Sequence, residues 1–491
     1  MKYLISAFFS LVLGLSLLAN ADGAHLKIHI QNYDGSTVYL VKYLGDKAYI
    51  KDTLQLNTAG QFVYESEEKL KSGMYYIVVP PKNEFVELLI TEEEQDYTLE
   101  MDHAKLTTDL EFKNAPENSL LQEYRVFMQS KAVDHQKIMA ELEEAKAAGA
   151  DGAKSEKRLQ SLRAEVKKFQ RKTIDKQPKS LAATIVKTQK EPDYPVFAGE
   201  EAEQSRQQFW FAKQHFFDPF EDDKRLFTSH LFYGKVEQYF EKYTFTHPDS
   251  LNVSIDKILQ LVTPDEEAFR FYYLKFLNKY LQSDLMGMDA VVVHLVRNYM
   301  QKGKADFIAE DKRKELIEKA DLWEPILIGK IAPDFRLYNL DVEGTLLNKN
   351  DENPNKRFQL SGMLDLYQVK SPFTLLVFWS NTCGHCKKTM PQLVEFYEKY
   401  KAKGLEVLAV CDKGYKEYPG CAQALKDWGA LKWYNAVDPY LKYKLSYDVD
   451  STPKMYLLDQ DKKILLKGNL KIESLGELMD SFVDEYKEGR E

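Results

Sequence analysis

The 491 residues carry 67 Lys and Arg against 76 Asp and Glu, a formal charge of −9, and 44% of them are hydrophobic. An acidic chain of this kind lacks the clustered surplus cations that binding a nucleic-acid backbone needs. Four cysteines are too few for a disulfide-stapled fold, and beyond the extreme N-terminus no apolar run approaches the ~18–20 residues of a membrane helix.

Met1-Lys2 supplies one positive charge, Tyr3 to Leu18 is apolar, and Ala19-Asn20-Ala21 has the A-x-A form cut by signal peptidase. The expectation is a signal peptide over residues 1–21 and a mature, periplasmic chain starting near Asp22, with no membrane span after cleavage. An uncleaved anchor helix is the alternative. Loss of Lys2 takes the formal charge from −9 to −10. No Cys precedes Cys383, so a lipid-bearing cysteine at the cleavage point is excluded. Export would place the thiols where disulfides form.

Single cores stop growing near ~250–300 residues, so a chain of this length implies several domains, and the pattern indicates an α+β multi-domain chain. Residues 25–112 alternate in short segments, at His25–Ile30 and within Thr37–Tyr43, Met74–Val79, Val86–Ile90 and Tyr97–Met101. Turns such as Asp34-Gly35 and Ala59-Gly60 separate them. An antiparallel β-sandwich is expected there. The segment resembles the small β-domain that precedes thioredoxin-like domains in exported proteins of Bacteroides-type bacteria.

A central α-helical domain is expected over 113–325. A helix from about Pro116, a turn at Gly149–Gly152 and a charged helix over Lys154–Ile174 read as a helical hairpin. Further helices are expected near Glu201–Phe217, Lys224–Tyr243, Pro264–Gln282 and Met286–Met300, with Ser250 and Asp265 as caps. Phe209-Trp210-Phe211 and Phe216-Phe217 read as core rather than as a docking surface. His215, His230 and His294 lack metal-ligand spacing, and no metal site is expected.

The chemistry lies further on. Leu375-Leu376-Val377-Phe378-Trp379 fits a buried central strand, and Cys383-Gly384-His385-Cys386 follows directly, opening a helical stretch. Two intervening residues at a helix start bring the sulfurs within bonding reach and hold the first outward. There Cys383 meets unpaired N–H groups and the positive end of the helix dipole, which favour a thiolate at neutral pH. Cys386, one turn on, would close a Cys383–Cys386 disulfide, and His385 would add positive charge or a donor. A zinc site would need a second ligand pair, which is missing. No cofactor is implied.

Residues 326–491 resemble the thioredoxin-like domain of TlpA/ResA-type thiol-disulfide oxidoreductases. The matching residues are Phe378-Trp379 before the motif, Pro391 after it and Ser451-Thr452-Pro453 before the strand at Lys454–Leu458. The resemblance implies an α/β thioredoxin-like fold, a cis Pro453 facing the disulfide, and a Thr452 backbone that pairs with an extended substrate. It implies protein partners bearing thiols or disulfides and an upstream thiol-disulfide electron donor. Catalysis would rest on Cys383 and Cys386, supported by Gly384, His385, Trp379, Thr452 and Pro453. Two positions depart from related patterns: Val377 stands where thioredoxins bury an Asp, and Thr389 where many TlpA/ResA-like proteins carry a Glu. Asp412 is the remaining candidate base for Cys386. Cys411 ends a predicted strand and is expected to be a buried, inert thiol. A Cys411–Cys421 disulfide or a regulatory Cys421 is the alternative.

Gly-His between the cysteines matches protein disulfide isomerase, and Gly-Pro is the thioredoxin pair; their potentials differ by roughly 90 mV. His385 therefore favours a more oxidising site, whereas TlpA/ResA-like domains commonly reduce, so the direction stays open. A thiol peroxidase is a weaker reading: Ser380 fits the hydroxyl position of such motifs, but Leu376 replaces the proline. A binding or scaffold protein with an accessory redox domain is the reading from another class.

Overall fold

The computed structural model describes residues 23–149, 151–221, 223–347, 360–414 and 417–488. The expected signal peptide lies outside the described residues. The chain forms two compact units, Met1–Tyr243 with Ile258–Phe271 and Thr244–Lys257 with Tyr272–Glu491.

Eight strands come first: β1 (Ala24–Gln31), β2 (Thr37–Leu44), β3 (Lys47–Gln55), β4 (Phe62–Ser66), β5 (Gly73–Val79), β6 (Glu84–Ile90), β7 (Asp96–Asp102) and β8 (Leu110–Lys113). They make two four-stranded sheets, β4-β1-β7-β8 and β3-β2-β5-β6. In β1, Ala24, Leu26, Ile28 and Ile30 are buried and the residues between them are not, the period of two that one covered face requires. Leu26 and Ile28 share a core with Val38, Leu40, Ile77 and Leu88, so both sheets close on one interior. The expected all-antiparallel sandwich is corrected at one pair: β1 and β7 run parallel, from His25↔Asp96 to Gln31↔Asp102. Parallel neighbours need a long crossover, and the chain between β1 and β7 provides it.

Helices follow: α1 (Pro116–Ala147), α2 (Ala153–Lys176), α3 (Leu181–Gln189), α4 (Glu201–Gln214), α5 (Asp218–Glu221), α6 (His230–Tyr243), α7 (Pro248–Val262), α8 (Glu266–Leu281), α9 (Asp289–Leu295) and α10 (Glu310–Trp323). The first two form the expected hairpin, where Phe127 stacks on Phe169 with centroids 3.8 Å apart. Asp265 caps α8 by accepting from the Ala268 N–H at 3.0 Å. Ser250 instead lies inside α7, which starts at Pro248 because a proline's missing N–H costs nothing in the first turn. The aromatic cluster divides: Phe217 is buried against Phe220, Phe232 and Tyr239, whereas Trp210 is 52% exposed.

The C-terminal part is a seven-stranded sheet flanked by helices. Its elements are β9 (Arg336–Leu340), α11 (Val342–Leu347), β10 (Leu360–Asp365), β11 (Phe373–Trp379), α12 (Gly384–Tyr400), β12 (Leu405–Cys411), α13 (Pro419–Asp427), β13 (Tyr434–Val437), β14 (Lys454–Leu458), β15 (Ile464–Gly468) and α14 (Ile472–Glu488). The strand order is β10-β9-β13-β12-β11-β14-β15. All seven residues of β11 are buried. Leu375, Val377 and Trp379 enter one core; Leu376 and Phe378 enter the core on the opposite face. A strand covered on both faces must be apolar at every position, which accounts for its unbroken hydrophobic run.

Candidate active site

β11 is held on both sides, parallel to β12 up to Trp379↔Cys411 and antiparallel to β14 with Phe378↔Lys454. Its C-terminal end is therefore fixed in place, and the chain leaves it through Ser380–Thr382 to enter α12. That helix buries Cys386, Met390, Leu393, Tyr397 and Tyr400 along one stripe. Packing that stripe on the sheet aims the helix N-terminus at the strand end.

Cys383 is the N-cap of α12, with φ −83° and ψ 119°. Its sulfur accepts from the Cys386 N–H at 3.3 Å, and in its thiol form it donates to the Thr452 carbonyl at 3.1 Å. The Thr452–Pro453 peptide bond is cis, and the loop bearing it leads into β14, whose pairing with β11 carries Thr452 to the helix N-terminus. Cys383 is partly exposed while Cys386 is fully buried. The two sulfurs are not bonded to each other.

The two sulfurs differ in acidity. Partial burial opposes ionisation of Cys383, but hydrogen bonds from Cys386, side chain and backbone, from Thr452 and from the His385 backbone outweigh it and hold the thiol below its ordinary value. Burial, reinforced by the neighbouring Cys383, pushes Cys386 up to about 12, against a weaker pull from the Ser380 backbone. The Ser380 N–H lies 3.5 Å from the Cys386 sulfur. This contact was not foreseen from the sequence, although a backbone N–H just past a strand that ends at a helix start is well placed for it.

The supporting positions fall around this pair. His385 is exposed. Gly384 faces open space: a Cβ there would meet nothing within 4 Å. Trp379 is fully buried, its ring edge-on to Trp428 at 5.4 Å. Val377 lies in the core and Thr389 on α12, so neither position brings a carboxylate. Asp412 follows β12 and donates its N–H to the Trp379 carbonyl at 2.8 Å. One of its carboxylate oxygens is buried and makes no hydrogen bond among the described residues.

The expected inert thiol at Cys411 is corrected: Cys411 is joined to Cys421 in a disulfide, with Cα atoms 6.5 Å apart and a sequence separation of 10. The Tyr418-Pro419-Gly420 turn starts α13 and folds it back over the end of β12, where both sulfurs are buried. A ten-residue separation across a Pro-Gly turn was the available signal.

Fold and site together define a thioredoxin-like protein. Residues 372–464 match a family model described as thioredoxin-like, and residues 24–121 match one described as a domain of unknown function. The chain belongs to the ResA family of thiol-disulfide oxidoreductases. It is 31% identical over 144 residues to the thiol-disulfide oxidoreductase ResA of Bacillus cereus, covering 29% of this chain and 70% of that protein. To the Bacillus anthracis ResA it is 30% identical over 146 residues, covering 29% and 69%. A thioredoxin-like protein from Bacteroides caccae is a structural neighbour at 18% identity and a TM-score of 0.41, covering 59% of this chain and 98% of that one. Among the described residues no helix is long and apolar enough to cross a membrane.

Proposed function

We propose that the protein is an exported oxidoreductase that exchanges the Cys383/Cys386 dithiol with disulfides of protein clients in the periplasm. It would comprise a β-sandwich over 25–112, a helical domain over 113–325 and a redox domain over 326–491. The observation that carries this reading is the partly exposed Cys383 sulfur at the N-cap of α12, between the Cys386 N–H and the Thr452 carbonyl.

In the reducing direction the Cys383 thiolate attacks one client sulfur. A Cys383–client disulfide forms, the client S–S bond breaks, and the second client sulfur leaves as a thiolate that takes up a proton. Cys386 is kept protonated by burial and, secondarily, by its neighbour's sulfur. Once Cys383 is bonded to the client that second influence is gone while burial remains, and Cys386 attacks Cys383 as its proton passes to the departing client sulfur. The Cys383–Cys386 bond forms and the first client sulfur departs; two electrons have passed to the client. A dithiol donor restores the pair, and the same steps in reverse oxidise a client dithiol.

Thr452 supports the reading because its backbone lies beside the nucleophile, where an extended client segment can pair with it. The test is a Cys386→Ala variant expressed with its signal sequence. It should retain periplasmic proteins through disulfides that dithiothreitol releases, and Cys383→Ala should retain none. Equal retention by both variants would reject the assignment.

A further inference from the structure

Within the unit that holds the β-sandwich, α3, α4 and α6 and the residues after α3 surround a cavity of about 500 Å³. The volume falls within the range of small-molecule sites. Its apolar wall is aromatic. Tyr194 and Phe211 lie 5.8 Å apart, Phe216 and Tyr243 lie 5.4 Å apart, and Tyr194 is 46% exposed.

The lysines at its edge are not all paired with carboxylates. Each lining carboxylate is engaged: Asp193 pairs with Lys190 at 2.5 Å, Glu191 with Lys167 at 3.6 Å, and Asp218 lies 2.7 Å from the His215 ring. Lys187 donates to the Pro178 carbonyl at 3.1 Å. Lys235 is left over. Half-buried, it has no carboxylate within ion-pair distance among the described residues, and its ammonium lies 5.6 Å from the centre of the Phe216 ring. Burial, and then the like charge of Lys242, hold it below the ordinary lysine value. A cation in that position gains from an anion brought into the cavity.

We infer that this cavity binds a small ring-bearing carboxylate, its anion on Lys235 and its ring against Tyr194, Phe211, Phe216 and Tyr243. Aromatic walls favour a planar body, and the half-buried ammonium of Lys235 favours a negative charge. The site is independent of the cysteine chemistry.

Calorimetric titration of the full chain with indole-3-acetate and its neutral analogue indole-3-acetamide tests this. The acid should bind at least about tenfold more tightly than the amide, the size of effect that a hydrogen bond to a charged group carries. Lys235→Met should abolish the preference and Lys235→Arg should keep it. If Lys235→Met fails to fold, Lys235→Gln and the acid–amide comparison in the unmodified protein carry the test. Equal affinity for the two compounds, no binding up to about 10 mM, or a preference that survives loss of the charge would overturn the proposal.

Discussion

Two cysteine pairs contribute to the same core cluster, yet their surroundings set them apart. Cys411 ends a strand, Cys421 lies in the first turn of a helix, and both sulfurs are buried and bonded to each other. Cys383 caps a helix, is partly exposed, and is met by donors that lower its pKa, the Cys386 thiol first and then the Cys386 N–H, while its partner is buried and held protonated. Proximity alone therefore does not make a redox site. The proposed chemistry rests on an asymmetry: one sulfur outward on a helix N-terminus, suited to attack, and one inward, suited to resolve.

The largest expected effect breaks that comparison at its centre. Cys383→Ala should lose insulin reduction by at least about 100-fold, since the proposed nucleophile is gone. The double variant Cys411→Ala/Cys421→Ala should keep turnover within about twofold, because neither sulfur faces a client. A matching loss in both would mean that the second pair takes part in the chemistry.

Stability should show the reverse ranking. Opening a disulfide that closes ten residues removes about 2–3 kcal/mol by loop-closure entropy. Urea denaturation of the double variant should show that drop, with Cys383→Ala close to the unmodified protein.

The two pairs were unequally legible in the sequence. C-x-x-C between an apolar strand and a helix announces itself, because spacing and flanking pattern arise from the same local geometry. The Cys411–Cys421 bond depends on how α13 folds back over β12, a tertiary event with no periodic signature. In the β-sandwich, β1 was readable from its alternation, but β3 was not: of its nine residues only Leu54 is buried, so it lacks the apolar period that marks a half-covered strand. The helix α3 escaped for the opposite reason, as seven of its nine residues are buried and no polar face marks the turn. The parallel β1–β7 pair was also out of reach, because direction is set by the path of the intervening chain.

A smaller effect sharpens the comparison within the motif. The His385 backbone N–H helps to lower the Cys383 pKa, after the larger contributions of Cys386 and Thr452, and His385→Pro removes that donor along with the imidazole. The midpoint potential should become more reducing by some tens of millivolts, about 30 mV for each tenfold in the exchange constant. Equilibration with glutathione buffers measures it, and an unchanged midpoint would remove His385 from the account.

The most direct test follows alkylation of the reduced protein by iodoacetamide from pH 4 to pH 10, with mass spectrometry assigning each adduct. The thiolate is the reactive form, so Cys383 should modify first, its rate rising with pH and levelling off below the ~8.5 of a free cysteine. Cys386 should stay unmodified across neutral pH, as a thiol pushed up to about 12 requires. Cys383 titrating like a free cysteine, or Cys386 reacting as fast, would contradict the asymmetry.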